Sequence, residues 1–152
     1  MSENKKTKED KGKIHTELIN TSICKYKESL NILGTDINYG HICNLSNSNL
    51  NIPSISSSWK IDNIKTLDDI FDSIDRAQNA ILFIISEFNK NQFISLVSYL
   101  KHKLIKYHSF LIQFKEDLSM EDLLKIQKHY RKISIYSSVV LYDRSTTIIY
   151  PQ

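Results

Sequence analysis

An α/β fold with a mostly parallel sheet flanked by helices, a closing β-hairpin and an N-terminal helix is predicted by three features of the sequence. The first is Ala80-Ile-Leu-Phe-Ile-Ile85, a continuous apolar run rich in β-branched side chains, as expected of a strand covered on both faces. The second is the alternation of such runs with amphipathic stretches that carry helix-capping signals. The third is polar Asp143-Arg-Ser145 between the apolar segments 133–142 and 146–150, which reads as the turn of a final hairpin. Short crossovers of this kind make neighbouring strands parallel and the connections right-handed.

In chain order, residues 1–13 carry five lysines against three acids and no aromatic or β-branched side chain except Thr7, so a disordered basic tail is expected. Over 14–34, Ile19, Ile23, Tyr26, Leu30 and Leu33 alternate spacings of four and three, the stripe of a helix, with Gly34 as its stop. That stripe has two uses. It docks on the domain, or its residues Ile19, Ile23, Tyr26 and Leu30 form a partner or dimer interface. The remainder, 35–152, is the α/β domain.

Within it, Ile37–Leu45 reads as a strand interrupted at Gly40, and 46–58 as a Ser/Asn-rich surface loop whose end Trp59 and Ile61 tuck onto the body. Thr66 and Asp69 form a capping box for a helix starting near Leu67, with Leu67, Ile70, Phe71, Ile74 and Ala77 as its apolar stripe. Asn89 and Gln92 cap the next helix, faced by Phe93, Leu96, Val97, Leu100 and Leu104. Ser109–Phe114 is the following strand. Ser119 and Asp122 cap a last helix whose face is Met120, Leu123, Leu124 and Tyr130.

Composition excludes several function classes. The 152 residues hold 20 basic and 17 acidic side chains, a formal charge of +3, most of it in the tail, so the folded body is near neutral. With Arg only at 76, 131 and 144, nucleic acid is not an expected partner. No run approaches the ~18 apolar residues of a membrane span, and no signal peptide opens the chain, so an intracellular, cytoplasmic protein is expected. Cys24 and Cys43 form no CxxC, which predicts reduced thiols and no disulfide.

The five histidines have no second histidine or carboxylate at the three- or four-residue spacing that puts two metal ligands on one helical face. No metal and no cofactor is therefore expected. Three glycines supply no phosphate loop. Because ligands gather at the carboxyl ends of parallel strands, the candidates for ligand binding are Ser86, Glu87, Asn89 and Lys115. Ser86 lacks the glycine flanks of a nucleophile elbow, and no catalytic residue is assigned.

From Leu67 onward the series ILFIIS, long helix, SFLIQF, short helix, KISIYSS and VVLYDRSTTIIY resembles the phospholipase D-like fold, over about eighty-five residues. It looks most like the catalytically silent form that TrmB-type archaeal regulators use for ligand sensing. That resemblance implies a sensing domain. The enzymes' His-x-Lys motif is absent, since His102 is followed by Leu104 and His108 by Phe110 at the lysine position, so histidine-mediated phosphodiester hydrolysis is not implied. The same stretch also resembles the second half of a Toll/interleukin-1 receptor domain, through Ile84-Ile-Ser-Glu-Phe88. The glutamate that cleaves NAD there has no counterpart, so this likeness implies at most an adaptor.

The expectation is thus a non-enzymatic regulatory or interaction module that binds a small molecule or a protein partner at the sheet's carboxyl edge. The alternatives are a structural subunit assembling through the N-terminal helix, or a degenerate nucleotide or phosphodiester enzyme.

Overall fold

The computed structural model describes residues 8–103, 107–135, 137–145 and 147–150. Helix α1 (Lys8–Ile32) leads through a 3-10 turn at Ile37–Tyr39 into β1 (His41–Leu45), and a loop carries the chain to β2 (Lys60–Asn63). Then follow α2 (Leu67–Arg76), β3 (Leu82–Phe88), α3 (Lys90–Lys101), β4 (Ser109–Phe114), α4 (Met120–Ile133), β5 (Ser138–Tyr142) and β6 (Ile148–Tyr150). The strands form one sheet in the order β2-β1-β3-β4-β5-β6. All neighbours are parallel except β5 and β6, which form the expected antiparallel hairpin. No described helix is long and apolar enough to cross a membrane.

Alternation along each strand builds two cores. Cys43, Phe83, Ile85, Phe110, Ile112, Val139 and Leu141 face α2, α3 and α4. Ile42, Leu82, Ile84, Leu111, Val140 and Tyr142 face α1, with Leu50, Ile52 and Ile55 of the long loop packed beside it. A sheet covered on both sides explains why its central strands read as unbroken apolar runs.

The caps form as the sequence predicts. Thr66 with Asp69 and Asn89 with Gln92 make reciprocal capping boxes, and Ser119 accepts from the Asp122 amide. Gly34 ends α1 at φ +75°, a left-handed conformation that glycine adopts without steric cost.

Four expectations are corrected. Helix α1 begins at Lys8, so 8–13 are helical and not a tail; Lys8, Glu9, Lys11 and Lys13 are good helix formers although Asp10 and Gly12 are not, and residues 1–7 lie outside the described residues. Of the two uses open to the α1 stripe the structure has the docked one: Ile19, Ile23, Tyr26 and Leu30 are buried against the sheet as core, and the alternative of a partner interface through them is the part corrected. On α4 the buried residues are Ile126 and Ile133, whereas Met120 (72% exposed) and Leu124 (60% exposed) face outward. Finally, Lys60–Asn63 is a strand. Short, exposed and polar at the sheet's edge, it lacks the apolar pattern by which a strand is recognised. Leu104, assigned to the α3 face, lies outside the described residues.

Tyr26 ties these parts together. Its hydroxyl donates to the Ala80 carbonyl at 2.6 Å and accepts from the His41 amide at 3.0 Å. Its ring meets the Trp59 ring edge-on at 5.4 Å, and the Trp59 indole donates to the Ile37 carbonyl at 2.6 Å. A side chain at Gly40 would overlap the Trp59 ring, so glycine is needed there for close approach.

Two predictions follow from this packing. Ile84→Ala, at a fully buried site, should lower stability by about 2–5 kcal/mol in chemical denaturation. Burial pushes the Tyr26 phenol from 10.0 up to about 12, so the folded state keeps a proton that the unfolded state releases. Stability should be independent of this group below pH 10 and fall between pH 10 and about 12, by on the order of 2–3 kcal/mol. Burial shifts Tyr142 in the same direction. Unfolding followed across that range should have a shallower slope in Tyr26→Phe, and an unchanged slope would refute the assignment.

Candidate functional site

The carboxyl edge of the sheet does not gather the four expected residues. Asn89 and Lys115 line a depression of about 240 Å³ with Lys90, Glu116 and Asp122, but Ser86 and Glu87 line no part of it. The Asn89 side chain is engaged in capping α3, and Lys90 pairs with Asp122 at 2.7 Å, joining the starts of α3 and α4. That pairing holds the Asp122 carboxyl below its ordinary range.

Ser86 and Glu87 occupy a bulge instead. The β3–β4 register passes from Ile85↔Ile112 to Phe88↔Phe114, so two residues of β3 stand where β4 has only Gln113. The extra residue returns Phe88 to the side of Phe83 and Ile85 in the core. Glu87 absorbs the distortion at φ +56°, a left-handed conformation costing roughly 1–2 kcal/mol for a side-chain-bearing residue.

A larger site lies on the opposite half of the sheet, between edge strand β2 and helix α2. The cleft has a volume of about 770 Å³. Parallel register places His41 beside Lys60 and Cys43 beside Asp62, so all four side chains project to the α2 face. Helix α2 and the turn after it close the other wall with Asp69, Ser73, Arg76, Gln78 and Asn79.

At its floor His41 Nε2 donates to Asp62 Oδ2 at 2.7 Å, and Lys60 Nζ stands 3.6 Å from the same oxygen. Cys43 Sγ lies 3.7 Å from His41 Nε2. Burial pushes the Cys43 thiol up; a Ser73 hydrogen bond and the Lys60 charge oppose this, while the Asp62 charge adds to it.

This arrangement cannot work as a nucleophilic relay. In such a relay one ring nitrogen takes the nucleophile's proton while the other donates to an orienting carboxylate. Here Nε2 is the nitrogen nearest both partners, and a nitrogen whose proton goes to Asp62 has no lone pair for the thiol. The three groups do converge as metal ligands. Among the described residues, one group of three or more such side chains, His41, Cys43 and Asp62, brings its donor atoms within 4.8 Å of one another.

Reading the sequence for helical spacings missed this cluster. His41-Ile-Cys43 has the two-residue period that puts both side chains on one face of a strand, and that signal was present. Asp62 carried no such signal, because only the β1–β2 register brings it opposite Cys43. Both cysteines are free, Cys24 exposed and Cys43 buried.

Comparison with family models, with curated proteins and with solved structures gave no match.

Glu87→Gly should leave stability unchanged or raise it by up to ~1 kcal/mol, because glycine removes the left-handed penalty but loses more backbone entropy. Denaturant midpoints of Glu87→Gly and Glu87→Val should bracket the parent. A glycine variant less stable than the parent would mean that the glutamate side chain makes a stabilising interaction.

Proposed function

We propose that this chain is a non-enzymatic regulatory module that holds a small polar ligand in the cleft between β2 and α2. The size and lining of the cleft carry this reading. About 770 Å³ lies within the roughly 300–1,000 Å³ typical of small-molecule sites, whereas the 240 Å³ depression at the carboxyl edge falls below it. The walls offer charges of both signs, Lys60 and Arg76 against Asp62 and Asp69, with the amides of Asn38, Asn63, Gln78 and Asn79. Such a lining suits a small molecule carrying both donors and acceptors.

The ligand is therefore assigned to the flank of the edge strand, not to the carboxyl ends of the strands where open α/β sheets usually bind. The missing relay between Cys43, His41 and Asp62 favours binding over nucleophilic catalysis. Sensing is the role that the phospholipase D-like resemblance also implies.

A thermal-shift screen of small polar metabolites tests the reading. At a concentration 100-fold above its dissociation constant, a ligand that binds only the folded chain should stabilise it by about 2.7 kcal/mol. Ser73→Trp, which fills the cleft from α2, should abolish that stabilisation. The assignment fails if no compound stabilises the parent, or if the shift persists in Ser73→Trp.

A further inference from the structure

We infer that the cleft floor is a binding site for a borderline-soft divalent cation of the zinc class, held by His41 Nε2, Cys43 Sγ and an Asp62 carboxylate oxygen, with a fourth position open to the cleft. The proposal rests on the reading of the cleft as a ligand site only for the use of that fourth position. Metal binding itself stands on the geometry of the three side chains.

Two of the three donor pairs are close to what the ion requires, and the third, Cys43 Sγ with Asp62, lies within 4.8 Å. Zinc lies about 2.3 Å from thiolate sulfur and about 2.0–2.1 Å from imidazole nitrogen and carboxylate oxygen, which at tetrahedral angles sets the donor atoms roughly 3.3–3.6 Å apart. Cys43 Sγ and His41 Nε2 are 3.7 Å apart. His41 Nε2 and Asp62 Oδ2 are 2.7 Å apart across a hydrogen bond, and separate by about half an ångström when the metal takes the place of the shared proton. His41 and Cys43 sit two apart on β1, and Asp62 lies opposite Cys43 on β2, so all three come from paired strands and need no loop rearrangement to converge.

Donor chemistry selects the ion. A thiolate disfavours magnesium and calcium, which prefer oxygen, and a single imidazole cannot build the two-histidine sites of blue copper or non-haem iron. Nitrogen, sulfur and oxygen donors with one position open match zinc sites that keep water or a ligand in the fourth place. On binding, the Cys43 thiol gives its proton to solvent and its sulfur bonds the metal, while the imidazole binds through the Nε2 lone pair and turns its remaining N–H to Nδ1. The thiolate and carboxylate charges together balance the dication. Lys60, 69% exposed at its side chain, is free to swing from Asp62 into solvent.

The test is titration of the chelator-treated full chain with Co²⁺, which reports both coordination number and thiolate ligation. One Co²⁺ per chain should bind with thiolate-to-cobalt charge-transfer absorption and the intense visible bands of four-coordinate cobalt, both lost on adding equimolar Zn²⁺. Cys24→Ser should leave the spectrum unchanged, and Cys43→Ser should abolish the charge-transfer band. Because Cys43 is buried and its variant can lose the fold, Asp62→Asn at the exposed edge is the second variant. It should weaken Co²⁺ binding by more than the roughly 10–100-fold typical of losing an outer-shell partner, with an unchanged circular dichroism spectrum.

A weak six-coordinate spectrum in the parent, a charge-transfer band that survives Cys43→Ser, or binding unaffected by Asp62→Asn would overturn the site. The two readings also separate. Cobalt binding with no small-molecule stabilisation supports the metal and removes the ligand, whereas small-molecule stabilisation of a chain that binds no cobalt does the reverse.

Discussion

The structure depends on a single buried hydroxyl, that of Tyr26. The paired register of β1 and β3 begins at Ile42↔Leu82, so the His41 amide and the Ala80 carbonyl lie just outside the ladder. Tyr26 supplies the partner that each lacks, donating to one and accepting from the other. Each such group left unpaired in the interior costs about 1–3 kcal/mol, which is why a tyrosine stands in an otherwise apolar stripe. Trp59, packed edge-on against the same ring, brings the end of the long loop and the 3-10 turn to the same point. Helix α1 is therefore part of the core, and the start of β1 is positioned from it.

Strand β1 divides this arrangement from the cleft. Ile42 points to α1, while His41 and Cys43 point to α2. The backbone that Tyr26 holds at His41 is thus the backbone that aims the imidazole at Asp62 on the other side of the sheet. Beside it, β2 contributes little to either core, with a mostly exposed and polar sequence. An edge strand can carry charged groups such as Lys60 and Asp62 because its outer side already faces water. The central strands β3 and β4 have no such freedom, and the polar cleft lies at the margin of the sheet.

At the other end of the sheet, packing has shaped the carboxyl edge. The bulge at Ser86 and Glu87 restores Phe88 to the core, the capping of α3 engages Asn89, and an ion pair between the starts of α3 and α4 engages Lys90 and Asp122. Of the groups that looked available in a linear reading, Asn89 is occupied by a helix start and Ser86 and Glu87 by the bulge. Position at a strand end raises the chance of function only where the side chains are not already required by the fold.

Local signals in the sequence determined the fold class, the capped starts of α2, α3 and α4, the buried strands β3 and β4, and the closing hairpin. Apolar runs, helical stripes and cap residues act over a few positions, so each is readable without its partner. Tertiary structure alone decided that the stripe Ile19, Ile23, Tyr26 and Leu30 is core and not interface, since an apolar helix face is identical whether a sheet or a second chain covers it. It also decided that Asp62 faces Cys43, because the register of two strands joined by a long polar loop is set by three-dimensional pairing and leaves no period in the sequence.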